Sequence, residues 1–145
     1  MLTFSKLSAD QIRETAWDSQ EITKLLPSPD CLTADNNNLM FAAWLDGQVI
    51  GLATLDSKLS TLPPTSGLLV DLFVLPQYRR QGVGRMLLGL VAGAVMEMGA
   101  YFLRGTQTHS EEAATFAAKI GFAQDAAAAE FLLLDLTDTK GLRQH

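Results

Sequence analysis

The sequence predicts a mixed α/β (α+β) fold: one sheet, mostly antiparallel, with helices on both faces. Three observations predict it. Asp46-Gly47 stands between two apolar runs, 39–45 and 48–55, and Asp-Gly at such a place marks a β-hairpin. A third apolar run, 68–75, stops at Pro76, which cannot donate to a sheet ladder. From there the pattern alternates: a helix over 84–98, a strand over 100–106, a helix from Thr108 to Ile120, then strands from Phe122 and from Phe131 to Leu136. A meander followed by β-α-β-α-β implies a mixed sheet covered by helices.

The elements follow in order. Residues 2–7 alternate apolar and polar, as a strand with one buried face does. Ser8-Ala9-Asp10-Gln11 reads as a capping box opening a helix that runs to about residue 25. Asp18-Ser19-Gln20-Glu21 repeats the cap signal, so the helix breaks near Trp17, and Pro27 and Pro29 end it. A polar loop over 30–38 closes on Asp35-Asn36-Asn37-Asn38, which reads either as a solvated turn or as a contact surface. Ala42, Ala43, Gly51 and Ala53 in the hairpin arms leave room for close packing. Residues 56–66, rich in Ser and Pro, read as a flexible connection at the sheet edge. The helix over 84–98 is apolar nearly all round, which predicts a buried helix whose Gly89, Ala92, Gly93 and Ala94 let it approach the sheet. Gly99 and Gly121 are natural helix stops. The polar tail, 137–145, is expected to fray.

Composition narrows the functional classes. With 145 residues, 48% hydrophobic and 19% charged, residues 1–145 form a single globular domain. One cysteine, Cys31, excludes a disulfide framework and a cysteine-cluster metal site, and fits a cytoplasmic protein. No apolar stretch is long enough to span a membrane. A net charge of −5 argues against a nucleic-acid surface.

The stretch that carries chemistry is Val70 to Leu88. A buried strand leads into a sharp basic turn with two glycines, Gly82 and Gly84, and then into a helix. The N–H groups at such a helix start have no intrahelical partner and attract an anion, phosphate above all. Arg79, Arg80 and Arg85 put three of the chain's eleven basic residues within seven positions. That concentration, in an acidic chain, favours a small polyphosphate ligand. There is no Gly-x-x-x-x-Gly-Lys-Ser/Thr loop and no Gly-x-Gly-x-x-Gly fingerprint.

Arg79-Arg80-Gln81-Gly82-Val83-Gly84, after a strand ending Phe-Val-x-Pro, resembles the Arg/Gln-x-x-Gly-x-Gly/Ala signature of the GCN5-related N-acetyltransferases (GNAT). The element order and Ile120-Gly121-Phe122 are also similar to that family. The resemblance implies acetyl-CoA or coenzyme A as cofactor. Its pyrophosphate would lie on Arg79, Arg80, Gln81, Gly82, Val83, Gly84 and Arg85, and its pantetheine arm along Phe73, Val74 and Leu75. It further implies a splay between that strand and the next, where an amine attacks the thioester directly. The family's tyrosine, four residues before the Gly-Phe glycine, is Ala117 here, and its helix-opening Asn is replaced near Ser110. Asp71, where some members place an acidic residue facing the acceptor, and His109, near the expected thiol, are the candidate catalytic groups. Asp71 also reads as a strand residue paired with a neighbour, and His109 as a surface residue. Tyr78 would pack near the nucleotide, and Tyr101 reads as core.

Asp35-Asn36-Asn37-Asn38 before Met40-Phe41-Ala42-Ala43, together with Arg79-Arg80 and Ala117, is similar to the short GNAT-like factors that mature and regulate aspartate decarboxylase. That similarity implies a coenzyme A-binding regulator as the alternative function, with Asn36, Asn37 and Asn38 contacting a protein partner.

Overall fold

The computed structural model of the protein describes residues 1–7, 38–60, 64–106, 111–124 and 131–137. Seven strands are described: β1 (Leu2–Leu7), β2 (Asn38–Leu45), β3 (Gln48–Ser60), β4 (Ser66–Val74), β5 (Phe102–Thr106), β6 (Ala123–Gln124) and β7 (Phe131–Asp135). Among the described residues two α-helices join them, α1 (Val83–Glu97) and α2 (Glu111–Ile120), with a 3-10 turn at Pro76–Tyr78. The sheet runs β1-β2-β3-β4-β5-β7-β6. Every neighbouring pair is antiparallel except β4 and β5, which the α1 crossover makes parallel. This is the mixed, mostly antiparallel sheet that the alternation of elements predicts. The helix expected over 8–25, the cap at Thr108 and most of the tail lie outside the described residues.

The β2–β3 hairpin turns at Asp46 and Gly47, both with positive φ (50° and 85°), as a two-residue Asp-Gly turn requires. The connection expected over 56–66 is shorter than the sequence suggests. β3 continues through Ser60, which pairs with Ser66, so residues 56–60 and Ser66 lie in two interior strands; residues 61–63 lie outside the described residues. Backbone pairing overrides the serines there, and Leu59 still packs against the core.

Two apolar clusters cover the two faces of the sheet. On one face α1 lays Val83, Leu87, Leu88, Val91, Ala92 and Val95 against Ala53 and Leu55 of β3 and Leu72 and Val74 of β4. Phe116 and Ile120 of α2 join this cluster. Burying each Leu or Val contributes about 1.5–3 kcal/mol. On the opposite face Met40, Ala42 and Leu52 are fully buried, with Phe73 packed beside them.

The close approach of α1 is made possible by glycines of the strands and not by Gly89 and Gly93 of the helix. A Cβ on Gly51 would come within 3.2 Å of Leu87 Cδ1, and one on Gly67 within 2.6 Å of Val95 Cγ2. Gly89 and Gly93 have nothing within 4 Å of a built Cβ. The outer side of α1 carries Met86, Leu90 and Met96, all exposed, so the helix is buried on one side only. Tyr101, expected in the core, is 54% exposed. Only Ala100 turns inward where α1 ends. There Gly99 (φ 93°) closes the helix, with the Gly99 and Ala100 N–H groups donating to Met96 O (3.0 Å) and Val95 O (3.2 Å).

Candidate cofactor and acyl-transfer site

The site is built on β4, and its geometry starts from a register slip. Thr54 pairs with Asp71 but Leu55 pairs with Leu69, so Val70 is an extra residue, a β-bulge. At the same level the parallel ladder with β5 ends: it runs from Ser66↔Phe102 to Leu69↔Gly105. β4 continues to Val74 past that point, paired only with β3. β5 ends one residue later, at Thr106, and the bulge, which sharpens local twist, sits at the same level, where the sequence resemblance implies a splay of β4 from β5.

Antiparallel alternation then decides which backbone groups face that opening. The Leu75 N–H donates to Ile50 O (2.9 Å), which directs Leu75 toward β3. Phe73, two residues earlier, takes the same direction. Val74 and Leu72 therefore turn their N–H and C=O groups away from β3, toward the gap. Of the expected trio Phe73, Val74 and Leu75, only Val74 offers backbone groups there. Leu72, which the sequence reading missed, offers the other pair. A two-residue count back from Val74 would have found it.

Past β4 the 3-10 turn leads to Arg79, Arg80 and Gln81. Arg80 takes φ +65° and Gly82 φ +84°, two left-handed residues that reverse the chain into α1. Glycine is the residue that accepts such a φ without strain. Gly82 caps α1 with no side-chain bond, and the first intrahelical bond is Met86 N–H to Gly82 O (3.0 Å). The N–H groups of Val83, Gly84 and Arg85 thus precede the helical ladder. The first turn holds no acidic residue that would offset the helix dipole. Val83 is buried, so its side chain serves the core and only its backbone serves the turn. A Cβ on Gly84 would lie 3.3 Å from the Phe116 ring, which packs α2 against the start of α1. The Gln81 amide reaches back to Gln77 O (3.4 Å).

Arg79 is not where charge counting places it. Its Nε donates to Val74 O (2.8 Å), and its guanidinium lies 5.3 Å from the Phe73 ring centroid. Arg80 is exposed and Arg85 half-buried. Asp71 follows the bulge directly, across the ladder from Thr54. The buried Thr54 Oγ1 has no hydrogen-bond partner among the described residues. His109, Ser110, Asn36 and Asn37 lie outside the described residues, and Asn38 opens β2 opposite Asp56. At Ala117 the carbonyl accepts the Gly121 and Phe122 N–H groups that close α2, and the side chain is a methyl. Tyr78 packs at the border of the core. Among the described residues no helix is long and apolar enough to cross a membrane, and no cluster of His, Cys, Asp and Glu could hold a metal ion.

Solved structures share this fold. A PaiA N-acetyltransferase from Thermoplasma acidophilum in complex with coenzyme A is similar at 18% identity and a TM-score of 0.67, covering 92% of this chain and 96% of that one. A putative GNAT acetyltransferase from Desulfovibrio desulfuricans is similar at 16% identity and a TM-score of 0.68, covering 94% and 99%. The toxin AtaT, bound to the C-terminus of the antitoxin AtaR, is similar at 18% identity and a TM-score of 0.71, covering 99% of both chains. No curated protein matches in sequence. The family model described as the acetyltransferase (GNAT) family matches residues 9–122, most of the chain and all of the β4–turn–α1 unit. The chain belongs to the GNAT acetyltransferase family, whose cofactor is acetyl-CoA.

Proposed function

We propose that this N-acetyltransferase moves the acetyl group of acetyl-CoA to a primary amine by direct attack, with Asp71 as the base. The observation that carries the reading is the one-sided half of β4. It turns the backbone groups of Leu72 and Val74 away from β3, with the Val74 carbonyl accepting from Arg79 Nε, and runs straight into the bare helix start at Gly82. An amide-bearing arm pairs with the first, and a pyrophosphate sits at the second. Coenzyme A has both, spaced along one chain.

The thioester then lies at the level of the bulge. A gap-facing N–H there can donate to the carbonyl oxygen as charge develops on it. The amine nitrogen bonds to the acetyl carbon, the C–S bond breaks, and the electron pair leaves with sulfur. One proton goes from nitrogen to the Asp71 carboxylate. The thiolate takes another, and His109, which follows β5 in sequence, is the proposed donor in place of the tyrosine that Ala117 replaces. AtaT has been seen with acetyl-methionyl-tRNAfMet. This chain, with net charge −5, repels a polyanion, which favours a small or cationic amine as acceptor.

The test is acetyl transfer to a panel of polyamines, amino acids, aminoglycosides and peptide N-termini, by the wild type and by Asp71→Asn. Transfer by the variant should fall by about 10²–10⁴-fold with coenzyme A affinity retained. Equal rates in both proteins would remove Asp71 from the mechanism.

A further inference from the structure

Arg79 occupies, from inside the protein, the same backbone group that a pantetheine arm would use. The Val74 carbonyl faces the gap because Leu75 and Phe73 are turned to β3. Arg79 Nε holds that carbonyl at 2.8 Å, and the guanidinium carbon lies over the Phe73 ring, 5.3 Å from its centroid. An arm entering along β4 has to meet this side chain first.

We propose that Arg79 is a specificity-determining residue that makes entry of the pantetheine arm conditional on the pyrophosphate attached to it. The inference rests on the cofactor assignment above. In the unliganded protein Arg79 stands in for the pantetheine amide on Val74 O and shields Phe73. When coenzyme A arrives, the guanidinium leaves the carbonyl and pairs with the pyrophosphate at the α1 start, four residues further on. The exchange is favourable because a charge-assisted bond to a dianion is stronger than one to a neutral carbonyl. A thioester without the pyrophosphate offers Arg79 nothing in return. It must break the Arg79–Val74 bond and the ring contact uncompensated, so the slot discriminates against short thioesters even though it fits their amides.

The consequence is a pair of effects with opposite sign. In Arg79→Ala, coenzyme A should bind about three- to tenfold more weakly, since a pyrophosphate contact is lost. Pantetheine, which carries no phosphate, should bind about three- to tenfold more tightly, since its competitor is gone. Arg80→Ala supplies the contrast: its side chain is exposed and away from Val74, so coenzyme A weakens and pantetheine does not change. Calorimetric titration of wild type, Arg79→Ala and Arg80→Ala with coenzyme A and with pantetheine reads all six constants, with a thermal melt confirming that each variant is folded. An Arg79→Ala protein that binds pantetheine no better than the wild type, while coenzyme A still binds the wild type, overturns the exchange: Arg79 is then a plain phosphate ligand or a strand cap. A wild type that binds no coenzyme A overturns the cofactor assignment itself, and the exchange with it.

Discussion

The two halves of β4 belong to one strand yet face different tasks. From Ser66 to Leu69 the strand has a neighbour on each side, β3 and β5, although its register with β3 is irregular between Asp56 and Ser60. From the bulge at Val70 to Val74 it is zipped on one side only. Each half is fastened by an arginine. Arg104 is buried and donates to Pro64 O (3.1 Å) and Ser66 Oγ (2.8 Å), which fixes the start of the strand in the interior. Arg79, half-buried, donates to the last carbonyl, on the open side. In the first half the backbone groups face a neighbouring strand on either side. In the second half some are held in reserve, and a reserve of backbone donors and acceptors is what a ligand slot consists of. On the proposed reading, stability is concentrated where pairing is two-sided, and binding where it is one-sided.

The contrast can be broken most severely at the end of the open half. Gly82→Val forces a β-branched residue to φ +84°, where such residues are outliers, at a cost of about 1–2 kcal/mol of stability. The protein itself leaves room, since nothing lies within 4 Å of a built Cβ, so the steric damage falls on the ligand. With two charge-assisted bonds to the pyrophosphate lost, coenzyme A affinity should drop by about 100-fold, read by titration calorimetry. An affinity unchanged from the wild type would show that the Gly82 turn is only a turn.

The matching change in the zipped half should do the reverse. Gly67→Ala puts a Cβ 2.6 Å from Val95 Cγ2, inside a packed core where a valine has little room to move. The overpacking should cost about 1–3 kcal/mol, several degrees in a thermal melt, while the coenzyme A constant of the folded protein stays as it was. If instead affinity fell in step with stability, the two halves would be one cooperative unit and the division of labour would be wrong.

Much of this was legible in the residues. The Asp-Gly hairpin, Pro76 as the strand end, Gly99 and Gly121 as helix stops and the glycine turn before α1 are local choices, each dictated by φ or by a missing N–H. The unread features are relations between segments. A bulge at Val70 is a mismatch between β3 and β4 and leaves no mark in either strand alone. The direction of Val74 and Leu72 toward the gap follows from that register. Arg79 reads as phosphate charge from its place in the turn, and three dimensions add its bond back to the strand it has just left. The faces of α1 were misread for a different reason. Its only charged residues are Arg85 and Glu97, at its ends, so no polar stripe marks which side meets water.

That misreading yields the smallest and most exacting comparison, between glycines of one helix. Gly84 sits against Phe116, and an added methyl at 3.3 Å must push the ring. Gly89 lies one and a half turns on, exposed, with nothing within 4 Å of a built Cβ. If glycines in this helix were needed for packing, Gly89→Ala would destabilise the protein. The structure says otherwise, because the methyl projects into solvent and alanine loses less backbone freedom on folding. Gly89→Ala should raise stability by about 0.5–1 kcal/mol in denaturant titration, with no change in coenzyme A affinity. Gly84→Ala should gain nothing or lose, since the same entropy saving is set against a displaced aromatic ring at the site. A destabilised Gly89→Ala would mean that the outer face of α1 is covered in solution, and Met86, Leu90 and Met96 would then belong to an interface.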